Sequence, residues 1–271
     1  MDNTLTGPVQ RSPWIWMTVG LVGIALVSGL NAAGSGILAI VAAALAVIVY
    51  KVVMRHVARR PAPEVARRGA GAEALRGAGL GVGFVLASTA LIAVFGGYSF
   101  TWSGNGLWSV LGSVLIVGVG AAITEELMFR GLALQGLERL FGSRAALVAT
   151  SLFFGAAHLF NPGASLWSAL AIAVEAGLLL GAAFLWRRSI WFVVGLHFAW
   201  NSTEQLLGIP VSGKPAEGLL TTHVSGPSIL TGGAFGLEAS IIPVLIGVAL
   251  SAPMLAAAAG RGGILRKQRA R

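Results

Sequence analysis

Long, nearly unbroken apolar runs constrain this chain more than any other feature. Gly36 to Tyr50 and Leu107 to Ile123 contain almost no polar side chain. A run of about 20 such residues satisfies its own backbone as an α-helix and can therefore cross a bilayer. A β-barrel would need short segments alternating apolar and polar residues, which these runs are not. Composition agrees: 56% of the 271 residues are hydrophobic and 11% charged, more apolar surface than one soluble core can hide. The 38 glycines weaken soluble helices but suit a bilayer, where small residues let helix backbones approach closely.

Gly, Pro, Asn and basic clusters divide the sequence into about eight helices, at roughly 14–30, 36–54, 77–97, 107–138, 145–160, 165–186, 190–207 and 239–259. The expected fold is all-α, a polytopic membrane bundle of about eight transmembrane helices. No small-residue cleavage site convincingly follows the first run, so it reads as an anchor rather than a removed signal peptide. Placing the amino terminus in the cytoplasm and alternating the helices puts Arg11, the stretch Lys51 to Arg76, Arg139, Arg144, Arg187, Arg188 and the tail from Arg261 to Arg271 on the inside. Of the 19 basic residues only Lys214 then falls in an outside loop and only Arg130 within a span, the bias that the positive-inside rule describes. The expectation is a multi-pass protein of the cell membrane with both termini cytoplasmic. The net charge of +9 then reflects loops drawn to the lipid bilayer, such as "RRPAP" and the tail "RKQRAR", and no nucleic acid is expected as a partner.

Three regions follow: 1–106, helices one to three with a basic cytoplasmic linker at about 51–76; 107–207, a four-helix core; and 208–271, an outer loop, the last helix and a basic tail. No internal repeat of the transporter kind is visible. The absence of cysteine removes disulfides, thiolate metal sites and a cysteine nucleophile.

A charged side chain near the bilayer centre costs about 2.5–3.5 kcal/mol on insertion scales, so each one kept there needs a partner or a task. Glu125, Glu126 and Arg130 lie in "TEELMFR", His158 ends "FFGAAH", Glu175 interrupts "AIAVEAGLLLG", and His197, Asn201 and Glu204 occupy "LHFAWNSTEQ". Glu126 and Arg130, Phe154 and His158, and His197 and Asn201 are each spaced so that the pair shares a helix face. The short turn at 141–143 makes its flanking helices antiparallel, and at about 1.5 Å rise per residue Glu125 and His158 both lie roughly 25 Å from it. The turn at Arg187 and Arg188 likewise brings Glu175 level with Asn201, with His197 about a turn away. One polar cluster shared by the four core helices is therefore expected.

Such a cluster suits hydrolysis: a carboxylate can take a proton from water, an imidazole can hold that water or relay the proton, and amide or imidazole donors can steady an oxyanion. Glu126, on the Arg130 side, is better placed as a paired anion, which leaves Glu125 as the candidate base. In the alternative, Glu125, His158 and His197 ligate zinc. No HExxH spacing supports that, so no metal or other cofactor is favoured.

The three motifs "EELMFR", "FGAAH" and "HFAWN", in that order and all on expected spans between about 107 and 205, resemble the CAAX-processing and bacteriocin-processing intramembrane proteases, also called the Abi family. The resemblance implies that Glu125 and His158 activate water while His197 and Asn201 stabilise the oxyanion, with Arg130 orienting the glutamates. It leaves metal use open, and Glu175 matches no motif position.

Each residue also has a simpler reading. Glu126 with Arg130 can be only an ion pair that makes the helix tolerable in lipid, and each histidine only a helix-to-helix hydrogen bond. Glu175 reads as packing or support, and Glu204 as a wet residue near the outer helix end. His56 and His223 read as solvated. Glycine-rich "SILTGGAFGLE" reads as an outer turn or re-entrant cover, with Glu238 near the amino end of the last helix. Trp14, Trp16, Trp102, Trp108, Trp167 and Trp191 read as interface anchors. The activity expected is endopeptidase cleavage of a membrane-associated peptide or protein. The alternatives are a proton-coupled transporter and a catalytically silent scaffold with the same fold.

Overall fold

The computed structural model describes residues 12–29 and 36–265; the expectations for Arg11 and for the tail from Arg266 onward lie outside them. Eight main helices run through it: α1 (Pro13–Ser28), α2 (Gly36–Val52, ending in a wider π turn Val53–Val57), α3 (Ala70–Val94), α4 (Leu107–Phe141), α5 (Ser143–Phe160), α6 (Leu166–Arg187), α7 (Ile190–Leu207) and α8 (Ile241–Gly260). Six of these are long and apolar enough to cross a membrane. Helix α1 has only 16 residues, and α7 is diluted by the polar residues of the site. The protein is a polytopic helical membrane bundle, and its apolar side chains point outward as lipid requires: Leu26 is 74%, Val94 80% and Phe153 64% exposed.

Helices α4 to α7 form the centre. The outer helices brace it: α1 and α2 pack on α4, α3 on α7, and α8 on α6 and α3. Helices α3 and α7 approach each other backbone to backbone. A Cβ added at Gly77 would stand 1.9 Å from the Phe192 carbonyl oxygen, at Gly81 2.4 Å from that of Leu196, and at Gly195 2.1 Å from that of Ala74. The backbones therefore touch directly, the small-residue packing that membranes favour.

Two further stretches widen into π-helix, Leu127–Leu134 within α4 and Ala173–Leu178 within α6. A π turn breaks the regular i→i−4 ladder and often marks a functional position. Arg130, on the first of these stretches, donates to the carbonyls of Ala176 (3.1 Å) and Gly177 (3.3 Å) on the second.

Connections sort onto two faces. On one, Arg187 closing α6 pairs with Glu73 opening α3 at 2.5 Å, Arg188 with Glu138 at 2.7 Å, and the Ser143 N–H donates to the Leu265 carbonyl. These ion pairs explain why α3 starts at Ala70 rather than near 77: Glu73 and Arg76, expected in a linker, are neutralised within its first turns. Also on this face Glu64, Arg60, Tyr50 and Gln135 form a buried polar group that ties the α2–α3 connection to α4. Burial alone would raise the Glu64 carboxyl, but the hydrogen bonds and charge of Arg60 hold it below the usual range. Trp16 is fully buried, with the Arg60 and Arg139 guanidinium groups each 5.8 Å from its ring centre. It is a packing residue rather than an interface anchor.

On the other face a two-stranded antiparallel sheet pairs β1 (Tyr98–Trp102) with β2 (Leu220–Val224), Tyr98 opposite Val224. The sheet adds to the all-helical expectation. Trp102 and Trp108 are exposed on this face, as interface anchors would be. Three short turns of helix (Ser228–Thr231, Gly233–Phe235 and Leu237–Ala239) lead from β2 into α8.

Candidate active site

Glu125 and Glu126 close the regular part of α4 just before its π stretch, and successive helix positions send them different ways. The Glu126 side chain is fully buried; its Oε1 accepts from Arg130 at 2.9 Å and from His197 Nδ1 at 2.8 Å. Glu125 is 36% exposed and lines a cavity of about 510 Å³. A carboxylate as the partner at Nδ1 makes that nitrogen the donor. His197 therefore turns Nε2 toward Glu125, whose Oε2 lies 3.9 Å away.

His158 lies at the end of α5, where the helix tightens into a 3₁₀ turn. Its Nδ1 sits 2.7 Å from the Phe154 carbonyl oxygen, an acceptor only, which leaves Nε2 unprotonated in the neutral ring. The Phe154 ring stacks against His158 at 4.7 Å between centres, meets His197 at 6.4 Å and lies beneath the Arg130 guanidinium at 4.8 Å. It holds both imidazoles and the cation at fixed spacing. Asn201, one turn beyond His197, lines the same cavity.

The structure thus brings Glu125, His158, His197 and Asn201 to one cavity, with Glu126, Arg130 and Phe154 behind them. It does not bring Glu175 there. Glu175 is fully buried on α6 against α8, its backbone meeting Gly247, and neither carboxyl oxygen has a hydrogen-bond partner among the described residues. Glu204 is fully buried rather than wet, and accepts from Trp200 Nε1 at 3.1 Å. Among the described residues no three His, Asp or Glu side chains converge as the ligands of an ion would.

Several residues of the cavity were not singled out from the sequence, among them Asn161, Gln205, Val211 and Ser212, and Lys214, noted there only as an outside-loop charge, lines it too. Glu238 holds that loop. Rather than capping α8, it accepts from the Ser212 N–H at 2.5 Å and from the Ser212 hydroxyl at 3.1 Å. Burial pushes the Glu238 carboxyl up, opposed by the nearby His158 and by the Ser212 hydrogen bonds. The useful sequence signal was an acidic residue inside a glycine-rich loop, since a buried carboxylate needs donors and backbone amides supply them. His56 and His223 are exposed and away from the cavity.

The Arg130 arrangement makes a definite prediction. Arg130→Met leaves Glu126 buried without its cation and lowers stability by roughly 3–5 kcal/mol. Arg130→Met with Glu126→Gln recovers part of that loss, because no uncompensated charge remains. Thermal unfolding of the two variants in one detergent checks this; equal midpoints would show that the pair is not coupled.

Fold and cavity together define a multi-pass membrane protein with a carboxylate and imidazole site enclosed by its central helices. Residues 106–203 match the family model described as Type II CAAX prenyl endopeptidase Rce1-like. That segment carries the three motifs that resemble those of the CAAX-processing and bacteriocin-processing family. No curated protein and no solved structure matches the chain.

Proposed function

We propose that the chain is an intramembrane endopeptidase that hydrolyses a peptide bond of a membrane-associated protein or peptide with water activated by Glu125. The observation that carries this reading is the placement of Glu125 Oε2 3.9 Å from His197 Nε2, in a cavity shared with His158 and Asn201. Water held between the Glu125 carboxylate and the free His158 Nε2 loses its proton to Glu125 as its oxygen attacks the scissile carbonyl. The carbonyl oxygen becomes an oxyanion facing Asn201 Nδ2–H and, when the ring is doubly protonated, His197 Nε2–H. Glu126 at Nδ1 and Glu125 beyond Nε2 flank that cation with negative charge. The proton on Glu125 then passes to the departing amine, and the carbonyl re-forms as the C–N bond breaks.

Purified protein in nanodiscs, given a quenched peptide library, is expected to show cleavage. Asn201→Ala is expected to lower kcat by about 10²–10³-fold, the effect of losing one oxyanion donor. KM should change little, because the missing hydrogen bond forms mainly in the transition state. No cleavage by the wild-type protein, with proton flux driven by a solute gradient, would replace this reading with transport.

A further inference from the structure

The cavity lies toward one face of the bundle, and that face is the one almost without positive charge. Its lining comes from Ser113 and Val114 in the second turn of α4, from Gln205 near the end of α7, from Asn161, and from the loop Val211 to Ala216. All belong to the side of β1 and β2: Asn161 donates to the Ser212 carbonyl at 3.0 Å, and Ser103, just after β1, to the Gly218 carbonyl at 2.8 Å. No residue of the opposite face lines it.

The opposite face carries the basic residues. Among those described, every Lys and Arg except Arg130 and Lys214 lies in its connections or in the helix turns next to them. Short connections rich in Lys and Arg remain on the cytoplasmic side of a membrane. We infer that the cavity opens away from the cytoplasm, so that its client is a polypeptide segment already translocated, reaching Glu125 past Lys214 and the loop fixed by Glu238. This deepens the peptidase reading and rests on it for the word client. The direction of opening rests only on cavity position and charge.

The chain has no cysteine, so single cysteines report the two faces without background. Ala216→Cys at the mouth and Arg67→Cys on the opposite face, each expressed in a bacterial inner membrane, are treated in intact spheroplasts with a membrane-impermeant maleimide. Ala216→Cys is expected to take at least about ten times more label than Arg67→Cys before permeabilisation, and Arg67→Cys to reach the same level only afterwards. Glu217→Cys, on the exposed stretch beside the mouth, repeats the measurement should Ala216→Cys disturb the loop. The reverse pattern, or equal labelling of both faces in intact spheroplasts, overturns the inference. Peptide cleavage by the same cysteine variants with Glu125 intact keeps the two readings apart: inactive protein with the expected sidedness fails as a peptidase, whereas active protein with reversed sidedness takes clients from the cytoplasm.

Discussion

Glu125→Gln is expected to abolish most peptide hydrolysis, lowering kcat by about 10²–10⁴-fold, the range that one general base supplies, while the protein is expected to stay folded with its thermal midpoint hardly moved. The two halves of that result have separate causes. Glutamine keeps the shape of glutamate but cannot take a proton from water, so the step is lost with the geometry preserved. Glu125 is partly open to the cavity and bonds no cation within hydrogen-bond distance, so removing its charge leaves no buried partner stranded. Glu126→Gln is expected to behave oppositely, because that carboxylate is buried and serves both Arg130 and His197: stability should fall first and activity with it. Measuring kcat, KM and unfolding for both variants checks the assignment. Unchanged turnover in Glu125→Gln would remove it from the role of base.

Gly77→Ala is expected to destabilise the bundle strongly, while Gly79→Ala, two residues along the same helix, is expected to be harmless. Both add one methyl group. At Gly77 that carbon would stand 1.9 Å from the Phe192 carbonyl oxygen and 2.9 Å from the Leu196 nitrogen, whereas at Gly79 nothing lies within 4 Å. No rotamer relieves a clash between two backbones, so α7 must move outward, at about 3 kcal/mol or more. Since α7 carries His197 and Asn201, displacement by even a fraction of an ångström spoils their approach to Glu125, and activity falls with stability. Gly79→Ala instead gains up to about 1 kcal/mol of helix propensity. Unfolding midpoints in detergent and peptidase rates decide the matter, and equal behaviour of the two variants would contradict the backbone contact.

The helices were legible in the sequence because a spanning segment announces itself in composition, and the motif residues because a charge in a span is costly enough to stand out. That Glu126 rather than Glu125 pairs with Arg130 could be read from the spacing alone. What was hidden depended on partners distant in the chain. Glu73 and Arg76 read as linker because Arg187, which lets them stay in a helix, comes 114 residues after Glu73. Glu204 read as wet because it lies near a helix end, yet the packed segment after α7 covers it. The strands "YSFTW" and "LTTHV" are too short to show their alternation, and nothing in "LMFRGLAL" signals a π turn. Gly77 and Gly81, by contrast, form a small-residue repeat that was open to view and marks the α3–α7 contact.

The sheet joins the segment that precedes α4 to the one that follows α7, and so clasps together the two helices bearing Glu125 and His197. One half of that clasp leaves the ribosome long before the other. Until β2 emerges and docks, α4 and α7 are joined at the cavity end by direct contacts such as Gln205 to Ser113 at 3.0 Å but not by the sheet, and a nascent chain halted just after α7 would hold every motif residue yet no finished cavity wall. Synthesis order thus makes the cavity wall one of the last parts of the site to be completed.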